Sequence, residues 1–434
     1  MRNITVIGAG RVGLVTAICL ADVGHFVRCF DLDNHKINQL KSGIPPFYEP
    51  DLENYLNKNL NKGRLSFTNN IQEALTDIEI IYLAVGTPQN EDGTTNLDFI
   101  MKAAEDIAEN IGDNPTIIVT KSTVPVGTNS AIKKFLYSTL KRDIKVEVVS
   151  NPEFLREGSA IYDSFHGDRI VIGSDNEWAS GVIEEVNKPF GIPIFQTDIR
   201  SAEMIKYASN TFLATKITLL NELANICEHV GADIEEVTYG IGLDHRIGST
   251  YMKPGIGFGG SCFPKDLLSL LQTAKEVGVR GDLIESVMKV NANQNIQLLQ
   301  KAKNRFGRLQ GKKAALLGLS FKPNTDDIRN SVALVLAKEL IKEGLILTAY
   351  DPASIENAKA ELGDTVKYTQ SIEEAITGVE MVFIATDWDE IKDFPLRRYE
   401  ELMLTPILFD GWNCYPLNQA ANHHLEYFSI GRRK

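Results

Sequence analysis

Residues 3–33, NITVIGAGRVGLVTAICLADVGHFVRCFDLD, constrain the fold more than any other stretch of the chain. Ile4, Val6 and Ile7 supply a strand, Gly8, Gly10 and Gly13 form GxGxxG, and a helix follows that Gly24 closes as a left-handed cap. A second strand ends at Asp31. Strand, glycine turn, helix and terminal acid in that order predict a dinucleotide-binding βαβ unit. Gly8 allows the tight turn, Gly10 lets the backbone approach a pyrophosphate, and Gly13 lets helix and strand pack closely. Asp31 would accept hydrogen bonds from the adenosine ribose and repel a 2′-phosphate, so NAD is the expected cofactor.

Further strands are expected in IEIIYLAVGTP, TIIVTKSTVPVGT and KVEVVSNPEFL. They end in turn-forming residues that include Thr87 and Thr123, as at a ligand crevice along the carboxyl edge of a parallel sheet. An internal repeat extends the pattern. NIQEALTDIEIIYLAVGT (70–87) aligns without a gap on SIEEAITGVEMVFIATDW (371–388). Upstream of the second copy, KKAALLGLSFKP and LILTAYDP read as first and second strands, but without GxGxxG. A second doubly wound domain, binding something other than a whole dinucleotide, follows. Between the halves, SAEMIKYASNTFLATKITLLNELANICEHVG has apolar residues on more than one helical face, which predicts a helix buried on several sides. The expected architecture is α/β: two doubly wound Rossmann-like domains joined by a long central helix. Its parts are residues 1–200 for the cofactor, 201–300 for the central helical region and 311–434 for the second nucleotide fold.

A chain of 434 residues suits such a multidomain plan. A formal charge of −12 argues against nucleic acid or an anionic membrane as partner. The five cysteines form no CxxC pair, and no apolar run approaches a membrane span, so a cytoplasmic protein is expected. No metal site is expected.

Four polar spacings stand out: Glu153 and Glu157 in NPEFLREG, Lys206 and Asn210 in KYASN, Cys262 and Asp266 in CFPKD, and Asp326 and Asn330 in TDDIRNS, the last also readable as a turn and a helix start. Lys206 and Asn210 share a face of the long helix. Pro264 suits a first helical turn, which puts Cys262 just ahead of a helix N-terminus, where the dipole and Lys265 favour thiolate. Gly257, Gly259 and Gly260 would let a ligand approach the backbone. An inert buried cysteine is the alternative. A nucleotide-binding domain plus an activated cysteine suggests aldehyde oxidation through a thioester, whose hydrolysis needs a base and an oxyanion stabiliser.

GAGRVG, STVPVG, NPEFLREG, DHRIG, GFGGSCFPKD and GLSFKPNTDDIRNS occur in that order along nearly the whole chain. In this the sequence resembles the UDP-glucose/GDP-mannose dehydrogenase family. The resemblance implies oxidation of a nucleotide-sugar CH₂OH to carboxylate with two NAD⁺ used in succession, and UDP-glucose as the substrate favoured by KPGIGFGGSCF. It implies Cys262 as nucleophile, Lys206 with Asn210 as oxyanion stabiliser, Asp266 acting with Thr123 through a water, and Glu153 as base of thioester hydrolysis. Val12, Asp31, Lys36, Thr87, Glu157, Lys265 and Arg329 match cofactor positions. Phe154, Leu155, Tyr251, Lys253, Phe258, Gly259 and Lys322 match sugar-nucleotide positions. Arg246 matches an arginine that reaches a neighbouring subunit's substrate, which implies a homodimer through the central helix. The chain departs from the pattern at Arg11, usually a large neutral residue, and at Trp412, where UDP-glucose members carry arginine. A GDP-mannose 6-dehydrogenase, a single-step β-hydroxyacid dehydrogenase and a non-catalytic NAD-binding protein are the rival readings.

Overall fold

The computed structural model describes residues 1–140 and 144–432. The chain divides into two compact units, Met1–Ser209 with Leu268–Val279, and Asn210–Leu267 with Arg280–Lys434.

The first unit is built on β1 (Asn3–Ile7), β2 (Phe26–Phe30), β3 (Leu65–Thr68), β4 (Ile80–Leu83), β5 (Thr116–Thr120), β6 (Val146–Ser150), β7 (Ile170–Gly173) and β8 (Ile194–Thr197). They pair in the order β3-β2-β1-β4-β5-β6-β7-β8. Only the β6–β7 contact is antiparallel. The second unit contains β9 (Lys313–Leu317), β10 (Ile346–Tyr350), β11 (Val366–Tyr368), β12 (Met381–Ile384), β13 (Ile407–Asp410) and β14 (Glu426–Phe428), ordered β11-β10-β9-β12-β13-β14. Six strands in each unit therefore share the doubly wound order, with the reversal beside the first strand. The α/β class with two Rossmann-like domains and a long central helix is what the chain adopts.

Alternation along the strands explains the helices on both faces. Ile4, Val6, Ile80 and Tyr82 enter one core, while Ile7, Ile81 and Leu83 enter another. In the second unit Ala314 and Leu316 face one core, and Ala315 and Leu317 the other. Such strands carry apolar residues on both faces because neither face meets water.

The repeat has a structural counterpart. Asn70 accepts from the Glu73 N–H at 3.1 Å, and Ser371 accepts from the Glu374 N–H at 3.2 Å, so each copy starts with the same helix cap. Gly8 (φ 102°) and Gly318 (φ 91°) occupy matching turns after β1 and β9. The acids that follow β2 and β10 differ. Asp31 accepts from Ala9 N, Asp33 N and Lys36 Nζ. Asp351 accepts from Leu319 N, Ser320 N and Oγ, Ala353 N, Ser354 N and Trp388 Nε1. Six donors saturate a carboxylate. Asp351 is a structural clamp.

The long helix, Ile199–Val230, starts where Asp198 accepts from the Ser201 N–H at 2.9 Å. It ends where Gly231 turns left-handed at φ 77°. Within one chain it is buried along one side only, through Ala202, Lys206, Tyr207, Asn210, Ala214, Leu220, Asn221, Ala224 and Cys227. Met204, Phe212, Leu219, Ile226 and Val230 are exposed, Phe212 and Val230 to 70%. The expected burial on several sides is therefore not met by a single copy. Apolar residues at helical spacing record every face that could be covered, not what covers it.

Removing the Asp351 carboxylate leaves buried N–H donors without partners, at a cost of about 2–5 kcal/mol. Asp351→Ala is expected to lower the urea midpoint reported by tryptophan fluorescence far more than Asp31→Ala.

Candidate active site

In the first unit the glycine turn has the shape a dinucleotide requires. A Cβ on Gly8 would lie 2.6 Å from the Ala84 carbonyl oxygen, and one on Gly13 only 1.9 Å from the Gly8 carbonyl oxygen. Gly10 faces open space and heads the helix Arg11–Asp22, which has no side-chain cap and no acid in its first turn. Its leading N–H groups are thus suited to phosphate oxygens. Val12 lies partly exposed in that turn. Asp31 holds the turn through the Ala9 N–H at 2.8 Å and pairs with Lys36 at 3.0 Å. The residues fit NAD.

Beyond the neighbouring strands, Thr87 Oγ1 donates to the Thr123 carbonyl at 2.9 Å, joining the turns after β4 and β5. Glu157 pairs with Arg11 at 3.7 Å, and Arg11 also lies over the Phe47 ring. Arg11 therefore tethers Glu157, one of the residues that match cofactor positions.

Glu153, after β6, is buried, and its Oε1 accepts from Lys206 Nζ at 2.9 Å. Its Oε2 accepts from the Leu155 N–H at 2.6 Å. Burial pushes the carboxyl up, but Lys206, the Leu155 N–H and the nearby Lys121 outweigh it and hold Glu153 below the usual carboxylate range. Phe154 carries the Arg169 guanidinium 3.7 Å from its ring centroid, with the Lys206 ammonium at 5.6 Å. Leu155 is partly buried beside them. Glu203, one turn before Lys206, accepts from the Gly127 and Asn129 N–H groups and so fixes the end of the STVPVG turn.

The second unit holds Cys262. It immediately precedes the helix Phe263–Glu276, its carbonyl accepts from the Asp266 N–H at 2.9 Å, and it is partly exposed. Its Sγ lies 3.6 Å from Ser261 Oγ. Asp266 is buried, with Lys265 Nζ at 2.8 Å on one oxygen and Asn210 Nδ2 at 2.6 Å on the other. Asn210 thus belongs to the Cys262–Asp266 segment, one helical turn beyond Lys206.

Where side chains would stand, the glycines before Cys262 have protein neighbours. A Cβ on Gly257 would lie 2.9 Å from Asn291 Oδ1, one on Gly259 2.0 Å from the Asn330 carbonyl oxygen, and one on Gly260 2.6 Å from the Phe321 ring. Asn330 Nδ2 also donates to the Gly260 carbonyl. The cysteine loop and the KPNTDDIRNS loop are therefore packed backbone to backbone. Phe258 is fixed by Asn291 and meets Phe263 edge to face. Lys322 lies over Phe321, and Arg329 pairs with Asp327. Lys253 pairs with Asp387 at 2.8 Å, and Tyr251 sits in a left-handed conformation at φ 58°. Arg246 is largely exposed, held by Asp244, which keeps its guanidinium above the ordinary value.

Trp412 follows β13. Its Nε1 donates to the Ala385 carbonyl at 2.8 Å, and its ring lies where a Cβ on Gly255 would meet it at 2.5 Å. The indole is a packed, bonded element of the loop after β13.

Sequence reasoning missed Lys121, Asn151, Arg169 and Glu203. Only their position beside KSTVPV, NPEF and the Lys206 helix could have drawn notice.

A dinucleotide turn, a helix-headed cysteine and a second nucleotide fold define an NAD-dependent oxidoreductase. Models of the NAD binding, central and UDP binding domains of the UDP-glucose/GDP-mannose dehydrogenase family match residues 2–191, 200–293 and 315–416. The chain belongs to that family. It is 54% identical over 431 residues to UDP-glucose 6-dehydrogenase YwqF of Bacillus subtilis, covering 99% of this chain and 98% of that one. A UDP-glucose dehydrogenase from Pyrobaculum islandicum superposes with a TM-score of 0.93 at 36% identity, covering 100% and 98% of the two chains. A UDP-D-ManNAc dehydrogenase from Pyrococcus horikoshii gives 0.87 at 28% identity, covering 99% of each.

Gly13→Ala and Gly10→Ala are both expected to raise the Kd for NADH at least about tenfold, roughly 1.4 kcal/mol, in fluorescence titration. Only Gly13→Ala should also lower Tm, since its Cβ meets backbone while that of Gly10 meets open space.

Proposed function

We propose that the protein oxidises UDP-glucose to UDP-glucuronate with two NAD⁺, through a thioester on Cys262. The observation that carries this reading is Cys262 itself, partly exposed at the head of a helix and four residues before a buried, doubly bonded Asp266. The overall reaction is RCH₂OH + 2 NAD⁺ + H₂O → RCOO⁻ + 2 NADH + 3 H⁺. Bound NAD⁺ accepts the hydride in each oxidation. The chain's residues do the rest. In the first oxidation the hydroxyl proton passes to a base, with Asp266 and Thr123 acting through a water. The Cys262 thiolate then adds to the aldehyde carbon, and the helix start favours that thiolate. Lys206 and Asn210 stabilise the oxyanion. Loss of the second hydride leaves a thioester. Glu153 takes a proton from water as the water attacks the thioester carbonyl, and sulfur departs as thiolate.

Gly8, Gly10, Val12, Gly13, Asp31, Lys36, Thr87, Thr123, Glu157, Lys265 and Arg329 bind NAD in this reading. Phe154, Leu155, Tyr251, Lys253, Phe258, Gly259 and Lys322 bind the nucleotide sugar. Residues 1–200, 201–300 and 311–434 divide cofactor binding, dimerisation with the cysteine, and sugar-nucleotide binding. The exposed stripe Phe212, Leu219, Ile226 and Val230 supports a homodimer through the central helix, from which Arg246 reaches the neighbouring subunit's substrate. Unbridged cysteines suit a reducing, cytoplasmic compartment.

Trp412 favours a second reading at the level of the sugar nucleotide. An indole cannot pair with substrate polar groups as an arginine does, so it discriminates analogues less well. GDP-mannose and N-acetylated UDP-hexoses are the competing substrates.

A screen of nucleotide sugars should give two NADH per UDP-glucose. One NADH per sugar would identify a single-step dehydrogenase, and none a binding protein. Cys262→Ala should abolish acid formation while NADH affinity stays within about twofold, or 0.4 kcal/mol. Trp412→Arg should change KM for at least one nucleotide sugar. An unchanged KM for all would make the indole purely structural.

A further inference from the structure

A third charged group stands beside Glu153 and Lys206. The side chain of Lys121, directly after β5, donates to Asn151 Oδ1 at 3.1 Å, and among the described residues this is the one hydrogen bond its ammonium makes. Asn151 is fully buried, donates in turn to the Val171 carbonyl at 2.8 Å, and lies two residues before Glu153. No carboxylate lies within ion-pair distance of Lys121 among the described residues, although Glu153 and Lys206 both act on it electrostatically. Lys121 keeps some accessible surface, and burial is the largest influence on its ammonium.

An ammonium held deep by one amide is costly unless something uses its charge. Burial pulls Lys121 down to about 8, Glu153 offsets part of that, and Lys206 adds repulsion. The remaining group facing it is Cys19, whose thiol burial pushes up to about 12, so it is neutral. The Lys206–Glu153 pair is neutral overall, so with Lys121 protonated the cluster carries one net positive charge.

We propose that Lys121 is a positioning residue for Glu153: through Asn151 it fixes the loop that carries this carboxylate, and its ammonium supplies the positive charge that the neutral Lys206–Glu153 pair lacks. The proposal rests on the reading of Glu153 as the base of thioester hydrolysis. A cation beside Glu153 keeps it ionised at lower pH.

The test is quench-flow measurement of UDP-glucuronate release between pH 5 and 9 for wild type, Lys121→Gln, Lys121→Arg and Glu153→Gln. Lys121→Gln keeps a donor toward Asn151 and loses the charge, whereas Lys121→Arg keeps both. Retained NADH binding shows that each variant is folded. Lys121→Gln is expected to slow release about tenfold near the acid limb, with that limb displaced upward by about one pH unit. Lys121→Arg is expected to recover most of the rate. A Lys121→Gln profile that superimposes on wild type after uniform scaling overturns the proposal, because a packing defect scales every pH alike. Lys121→Arg as slow as Lys121→Gln overturns it too. Glu153→Gln hydrolysing at the wild-type rate instead removes the reading of Glu153, and the proposal with it.

Discussion

A parallel sheet covered on both faces has only its strand ends left for chemistry, and the placement of the candidate site residues of the first sheet follows from that constraint. Turns after β1, β4, β5 and β6 carry Gly8, Thr87, Thr123 and Glu153 to the carboxyl edge of the first sheet. The turn after β1 must be closed, and both units close it with an acid that follows the next strand. In the first unit Asp31 takes three donors, one of them from Lys36. In the second, Asp351 is saturated by six donors, including Trp388. The same acid position thus closes the first turn in both halves, with three donors in one and six in the other.

Buried charge marks where that edge becomes a site. Glu153 and Lys206 lie within hydrogen-bond distance in the interior of the first unit, and breaking such a pair leaves an uncompensated charge worth about 3–5 kcal/mol. Asp266 is bound on both oxygens by Asn210 and Lys265. Each carboxylate is thereby set in place by the residues assigned to work beside it, which lowers the rearrangement a reaction would need.

What the sequence made legible was local. The GxGxxG unit, the repeat at 70–87 and 371–388, the Pro264 helix start and the Gly231 helix end each depend on neighbours within a few residues. What stayed hidden depends on distant contacts. Nothing in KSTVPV announces that Lys121 meets Asn151, nor in GDRIV that Arg169 stacks on Phe154. Nor does GFGG announce that Asn291, Asn330 and Phe321 pack where side chains on Gly257, Gly259 and Gly260 would stand. Trp412 stood out as a departure from a pattern, but its bond to Ala385 and its packing on Gly255 need three loops in place at once. The central helix shows the same limit, since its apolar spacing could not say which side the rest of the chain covers and which stays exposed.

The central claim is that Cys262 carries the sugar as a thioester and that Glu153 helps release it. Intact-protein and peptide mass spectrometry of Glu153→Gln, quenched after mixing with UDP-glucose and NAD⁺, measures this directly. The account predicts a nucleotide-sugar adduct on the peptide containing Cys262. Absence of any adduct, together with near-normal turnover of Cys262→Ala, would contradict it.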